Sequence, residues 1–337
     1  MVKNSNLQPA ETMENWGLVA DVGGTNIRLA LIELNSEKIV NLRSFLCADY
    51  GSITDVIKDF LTSATTKVNH ACIAIAGVVE RDWISMTNHQ WEFSISQARE
   101  DLDLKNLYLI NDYTGISMAI PRLNENNKVK IGDGVPQDKK PIAVFGPGTG
   151  LGVSHLICHE NQWISIDGEG GHVDYAAQDD LEDHLIQFLR QRFDNVSAEM
   201  LISGPGLVNI YNGVKSLHKE TTENLTPKEI TTRALKKTDP CCQEVLRVFC
   251  GMMGSFAGNL ALNLGTFGGV YLAGGIVPRI VDYLAVSDFR KRFETKGRFS
   301  DYLKKIPTYV ITEPQPGLIG AGAYLAQMLR VKPKAGH

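Results

Sequence analysis

The chain has 337 residues, 43% hydrophobic and 21% charged, with a formal net charge of -4. This is a globular composition, long enough for two domains and a large core. The acidic balance and the lack of a Lys/Arg block argue against a nucleic-acid or anionic-membrane partner. Six cysteines, none in a C-x-x-C pair, read as free thiols in a reducing cytoplasm. No secretory leader is visible, and no apolar run reads as long enough to span a bilayer.

Residues 1–15 are polar and acidic and read as a disordered lead-in, with order beginning near Trp16. "GLVADVGGTNIRLALIEL" (17–34) predicts strand, Gly-rich turn and strand. Helical spacing follows in "VIKDFLTSA" (56–64), then a continuous apolar strand in "HACIAIAGVV" (70–79). "LYLIND" reads as a buried strand and "YTGISMAIPRL" (113–123) as a helix stopped by Pro121. A polar break, "NENNKVKIGDGVPQDKK" (124–140), separates this from "PIAVFGPGTGLGVSHLI" (141–157), again strand, Gly turn, strand and a weak internal echo. Beyond it come an amphipathic helix opened by Asp residues (179–193), a turn into a helix (201–211) and a helical region (228–264) interrupted by Pro240. Strand, Gly pair and helix (268–280), a strand (305–312) and a small-residue helix (317–329) complete an α/β pattern.

No Walker P-loop occurs, and no G-x-G-x-x-G follows the first strand. Three Gly-rich turns nevertheless each follow a strand: "DVGGTN" (21–26), "GPGTGLG" (146–152) and "AGGIVP" (273–278). Each alone reads as a plain corner. Together, with Thr25, Asn26 and Thr149 adding donors, they favour a backbone that cradles phosphate. Asp21 stands where a carboxylate could hold hydrated Mg²⁺ near those phosphates.

Asp112 has two readings, the N-cap of the following helix or a base that takes a hydroxyl proton during phosphoryl transfer. Asn111 beside it suits a sugar hydroxyl. "GEGGHVD" (168–174) holds Glu169, His172 and Asp174; vicinal hydroxyls fit it better than zinc, since no Cys cluster or further His is near. By local pattern Glu199 is a surface residue near a short helix capped by Ser197. His89, Trp91 and Phe93 read as packing or loop-fixing groups, and His70, His155, His159 and His184 form no constellation. The N-terminus of the helix near 201–211 reads equally as a nucleotide contact or a plain helix start.

Eight segments in order carry a resemblance: "LVADVGGTNIRLALIE", "MTNHQWEFS", "LINDYTG", "VFGPGTGLGV", "GEGGHVDYA", "SAEMLISGPGLVNIY", "LNLGTFGGVYLAGGIVPR" and "GLIGAGAYL". Together they resemble the bacterial-type glucokinases over residues 17–330. The resemblance implies a two-domain actin-like ATPase (ribonuclease H-like) fold with a cleft between a small and a large domain. The small domain would be residues 16–122 plus 313–331, the large one 123–312. It also implies ATP- and Mg²⁺-dependent phosphorylation of glucose at the 6-hydroxyl, by a cytoplasmic homodimer. By matching position Asp112 is the base, and Asn111, Glu169, His172 and Glu199 contact the sugar. Ala20, Asp21, Val22, Gly23, Gly24 and Thr25 take phosphate roles, as do Gly148, Thr149, Gly150, Gly274 and Gly275, with Asp21 reaching the metal through water.

Three departures stand out. The stretch after "GGH" lacks the cysteines of the repressor/ORF/kinase group, which implies no structural zinc. Gly115 lies where relatives more often have Ala, a cost of about 1 kcal/mol in a helix interior, or an aid to closure. Val78 follows Gly77 where many relatives place Pro. Two other readings stay open: the same fold acting on fructose, mannose or an N-acetylhexosamine, and a sugar-sensing regulator or chaperone-like ATPase. Against the regulator, the lead-in is too short for a helix-turn-helix, and a basic patch is lacking.

Overall fold

A computed structural model describes residues 15–64, 66–80, 82–86 and 91–330. The lead-in up to residue 14 and His89 lie outside them. The chain divides into two compact units, Met1–Arg122 with Pro314–His337, and Leu123–Glu313. The first holds β1 (Trp16–Val22), β2 (Asn26–Glu33), β3 (Lys38–Leu46), α1 (Ile53–Ala64), β4 (His70–Ile75), β5 (Gly77–Glu80), β6 (Trp83–Met86), β7 (Glu92–Ser94), α2 (Ile95–Asp101), β8 (Asn106–Asn111) and α3 (Asp112–Ala119). The second holds β9 (Lys128–Ile131), β10 (Ile142–Pro147), β11 (Leu151–His159), β12 (Gln162–Asp167), α4 (Asp180–Arg190), α5 (Gly204–Leu217), α6 (Pro227–Leu235) and α7 (Pro240–Leu264). It continues with β13 (Gly269–Leu272), α8 (Val281–Val286), α9 (Phe289–Glu294), α10 (Ser300–Leu303) and β14 (Thr308–Ile311). The last helix, α11 (Pro316–Arg330), belongs to the first unit.

In the first unit the main sheet has the order β3-β2-β1-β4-β8. Strands β1 to β3 are antiparallel neighbours; β4 and β8 run parallel to β1. Side chains alternate between two cores, as the pleat requires. Leu18, Ala20 and Val22 pack with Val56, Ile57 and Phe60 of α1. Val19, Cys72, Ala74 and Ile110 pack with Leu318, Ala321 and Leu325 of α11. Helix α1 buries Ile53, Val56, Ile57 and Phe60, a one-sided stripe at helical spacing.

The second unit has the order β12-β11-β10-β13-β14-β9. Antiparallel β10–β11–β12 and parallel β10–β13–β14 repeat the first plan, so the echo between the two hairpin segments is topological. Ala143, Phe145, Val153, Val270 and Leu272 pack against residues of α4 to α7.

Several expectations change. The run 70–79 is two strands: at Ala76 the chain leaves the sheet, its N–H donating to the Val22 carbonyl at 3.1 Å, and β5 joins β6 and β7 in a separate small sheet. Strand β8 is a sheet edge, so Leu107, Tyr108 and Leu109 are only half-buried. The polar break contains β9, paired with β14. Pro240 starts a helix instead of interrupting one. It lies in the first turn of α7, where the Asp239 side chain accepts from the Cys242 N–H at 3.1 Å. Contrary to the reading of the sequence, α7 is by length and composition able to cross a membrane. Most of its residues lie instead in the core of the second unit.

Candidate active site

In the first unit the polar candidates collect where the parallel strands end. Register pairs Val22 with Ile75 and Ile75 with Asn111. The ends of β1 and β8 are therefore two strand spacings apart, about 10 Å. Carboxyl ends of parallel strands are where open α/β sheets present ligand-contacting groups. Ala20, Asp21 and Val22 close β1, and the turn Gly23–Gly24–Thr25 leads to β2. The Gly23 N–H donates to the Asn26 carbonyl at 2.9 Å, and the Cys47 N–H donates to the Thr25 carbonyl at 2.9 Å. Thr25 and Asn26 are exposed at the tip.

Asp21 points to the face covered by α11. A Cβ on Gly317 would lie 2.9 Å from its carboxylate, so only glycine leaves this space. Across the hairpin, Arg28 Nη1 donates to Asp21 Oδ2 at 3.1 Å. Burial raises the Asp21 pKa, and the Arg28 charge opposes that rise. Neither Arg28 nor Gly317 was picked out in the sequence. Their signal was the Asp21–Arg28 offset of a two-stranded hairpin and the glycine opening the last helix.

The helix-cap reading of Asp112 needs correction. The cap is Asn111, whose side-chain oxygen accepts from the Tyr113 N–H at 2.8 Å and whose amide donates to the Gly77 carbonyl at 3.2 Å. Asp112 is the first helical residue; its Oδ1 also accepts from the Tyr113 N–H, at 3.0 Å. Gly115, one turn on, faces the crossing helix. A Cβ there would stand 3.0 Å from the Ala74 Cβ and 3.4 Å from the Gly317 carbonyl. The glycine thus serves a close helix–sheet approach.

In the second unit a different set gathers. The turn Gly148–Thr149–Gly150 joins β10 to β11, with the Gly148 N–H donating to the Gly150 carbonyl at 2.8 Å. The Gly148 carbonyl accepts from the Gly204 N–H at 2.8 Å, seating the first turn of α5 on this loop. Ser203 caps that helix through the Gly206 N–H at 3.0 Å. Beside β10, the chain after β13 turns at Gly274, whose φ of +81° and approach to the Pro147 carbonyl both require glycine. Nothing lies within 4 Å of a Cβ on Gly148 or Gly275.

Glu199 is no surface residue on a short helix. Its Oε2 accepts from the Leu151 N–H at 2.8 Å, and its own N–H donates to the Gly171 carbonyl at 2.9 Å. A Cβ on Gly150 would lie 2.5 Å from that Oε2. The Gly turn, Glu199 and the loop bearing Glu169 and His172 are thus one connected structure. Glu169, His172 and Asp174 are exposed on it. Trp91 is a packing group, buried in the core of the first unit.

Among the described residues no three His, Cys, Asp or Glu side chains converge on a metal position. Magnesium keeps several waters and binds through one or two carboxylates plus phosphate oxygens. Asp21, a single partly open carboxylate that shares one oxygen with Arg28 beside a glycine hairpin, is of the type that can hold such an ion through water.

A glucokinase family model matches residues 18–328. The chain belongs to the glucokinase family. It is 51% identical to the glucokinase of Yersinia enterocolitica over 317 residues, covering 94% of this chain and 98% of the relative. A crystal structure of glucokinase from an Antarctic psychrotroph is 34% identical, covers 93% of this chain and 99% of that one, and superposes with a TM-score of 0.86. A glucokinase of the ROK family from Streptomyces griseus, solved with glucose and AMPPNP, is 17% identical and shares the fold, with a TM-score of 0.62 over 93% of this chain and 99% of its own. The mixed α/β, two-unit architecture is therefore that of a sugar kinase.

Proposed function

We propose that the chain transfers the γ-phosphoryl group of ATP to the 6-hydroxyl of D-glucose, giving glucose 6-phosphate and ADP, with Asp112 as general base. The activity rests on family membership. The base assignment rests on the family match and on the place of Asp112 at the carboxyl edge of the sheet, beside the Asp21 hairpin. Asn111 supplies the helix cap, and Asp112 shares the Tyr113 N–H with it at 3.0 Å.

In this reading the two units are the small and large domains of an actin-like ATPase fold. Asp112 accepts the proton as the sugar oxygen bonds to the γ-phosphorus. The bond from that phosphorus to the β,γ-bridging oxygen breaks, and ADP leaves. Asn111, Glu169, His172 and Glu199 hold the sugar hydroxyls. The backbone from Ala20 to Thr25, the Gly148–Gly150 turn and Gly274–Gly275 line the phosphates. Asp21 would hold Mg²⁺ through water, and the ion supplies charge neutralisation on the phosphates. Six free cysteines suit a reducing cytoplasm. The homodimer is carried over from the family resemblance alone.

The test is Asp112→Asn assayed by coupled glucose 6-phosphate formation, with glucose binding followed by calorimetry. Turnover should collapse while binding survives; near-normal turnover would remove the base assignment. A panel of fructose, mannose and N-acetylhexosamines, run on the unaltered chain, decides the sugar.

A further inference from the structure

The inner stripe of α4 reads Glu182, Leu185, Ile186 and Leu189. A carboxylate occupies a core position, with Glu182 1% exposed. Such a charge is tolerated only when fully paired. Glu182 Oε1 accepts from Arg292 Nη2 at 2.6 Å, and Oε2 accepts from the Tyr175 hydroxyl at 3.1 Å and the Gln178 N–H at 2.8 Å. Arg292 comes from α9 and also donates to Ser255 Oγ of α7 at 3.0 Å and to Asp179 Oδ2 at 3.4 Å. Burial raises the Glu182 pKa, and Arg292 works against that rise.

Tyr175 is where this network meets the candidate sugar loop. Its N–H donates to the Val196 carbonyl at 3.0 Å. The ladder continues through the Asp174–Ser197 bridge and the Ala198 N–H on the Val173 carbonyl at 2.8 Å. It ends with the Glu199 N–H on the Gly171 carbonyl at 2.9 Å. One end of the ladder therefore carries the buried ion pair, and the other carries Glu199 and the loop of Glu169 and His172.

We propose that Arg292, Glu182 and Tyr175 are positioning residues that fix the register of this ladder and so set the sugar-contacting side chains. The proposal rests on the assignment of Glu169, His172 and Glu199 to the sugar. Plain core packing would be met as well by an apolar stripe. A paired carboxylate adds directional bonds to Tyr175 and Gln178, and these hold the loop in one place.

The decisive variant is Tyr175→Phe, which keeps the ring and removes the hydroxyl that bonds Glu182 and Ser255. The glucose KM should rise about five- to twentyfold, while the ATP KM stays within about twofold. The preference for glucose over its 2-epimer, as a ratio of kcat/KM values, should fall with it. Glu182→Gln should do the same, and the double variant should cost less than the product of the two. Unchanged glucose KM in Tyr175→Phe, with or without a lowered melting temperature, would overturn the proposal. If Glu182→Gln does not fold, Tyr175→Phe alone carries the test. Glu199→Gln and His172→Asn separate the two layers. If neither alters the glucose KM, the sugar assignment itself fails. If they raise it and Tyr175→Phe does not, only the positioning role fails.

Discussion

In the first unit the order β3-β2-β1-β4-β8 runs three antiparallel strands into two parallel ones, and in the second β12-β11-β10-β13-β14 does the same. The matching strand ends differ in chemistry. Strand β1 closes on Asp21 and Val22, while β10 closes on Gly146 and Pro147. The last parallel strand ends on Asn111 and leads into Asp112 in one unit; in the other, Thr312–Glu313 follow it. Glu313 is tied into its own unit, accepting from Asn127 Nδ2 at 2.6 Å while its N–H donates to the Asn127 carbonyl at 3.1 Å. One backbone plan thus ends in Asp21 and Asp112, the carboxylates proposed for chemistry, in the first unit, and in a glycine turn and an anchoring Glu313 at the matching places in the second. The lesson is that function resides in the residues grafted onto the plan, not in the plan.

The comparison breaks most sharply at the two acidic strand ends. Asp112→Asn should lower kcat by about 10² to 10⁴-fold, the range of a lost general base. Glu313→Gln should leave kcat unchanged and lower the melting temperature modestly. Comparable losses at both sites would mean that the second unit also supplies a catalytic carboxylate.

Next are the glycines at close approaches. In the first unit a Cβ on Gly320 would run into the Gly115 carbonyl. Gly320→Ala should therefore destabilise by about 3 kcal/mol in a denaturant titration, as overpacking does. Gly115→Ala should fall within about 1 kcal/mol of the parent, since helix propensity gains what the contact with Ala74 loses. In the second unit Gly274→Ala should cost about 2 kcal/mol through its left-handed backbone. Gly275→Ala should change stability by less than about 0.5 kcal/mol, because a Cβ there meets nothing. Equal effects within either pair would show that the helix crossing or the turn repacks freely.

Both hairpins were readable because Gly-Gly and Gly-x-Gly turns stand between runs of β-branched and other apolar residues. The helices α1 and α4 were readable from spacing, and Asp179 does open α4, its side chain accepting from the Glu182 N–H at 2.9 Å. Strands β3 and β12 were not legible: their residues are largely exposed, so apolar alternation is weak. The break at Ala76 depends on a hydrogen bond to Val22, and no local pattern encodes that partner. Asn111 and Asp112 were legible as a pair, but which of them caps the helix depends on geometry. Glu199 needs Leu151 and Gly171, 48 and 28 residues away, to be recognised as part of a site. Glu182 was hidden inside an acidic helix start, where a carboxylate ordinarily signals solvent and the helix dipole.

Helix α11 completes the first unit from the far end of the chain. A ribosome delivers β1, β4 and β8 early, but Leu318, Ala321 and Leu325, which cover one face of their sheet, follow about 200 residues after β8. The second unit can fold during synthesis as an unbroken segment, as domains generally do. The first must wait with an apolar face bare, and a nascent chain that halts before Pro316 lacks the glycine that abuts Asp21. The sheet face that carries Asp21 is therefore covered only once Leu318, Ala321 and Leu325 have been made.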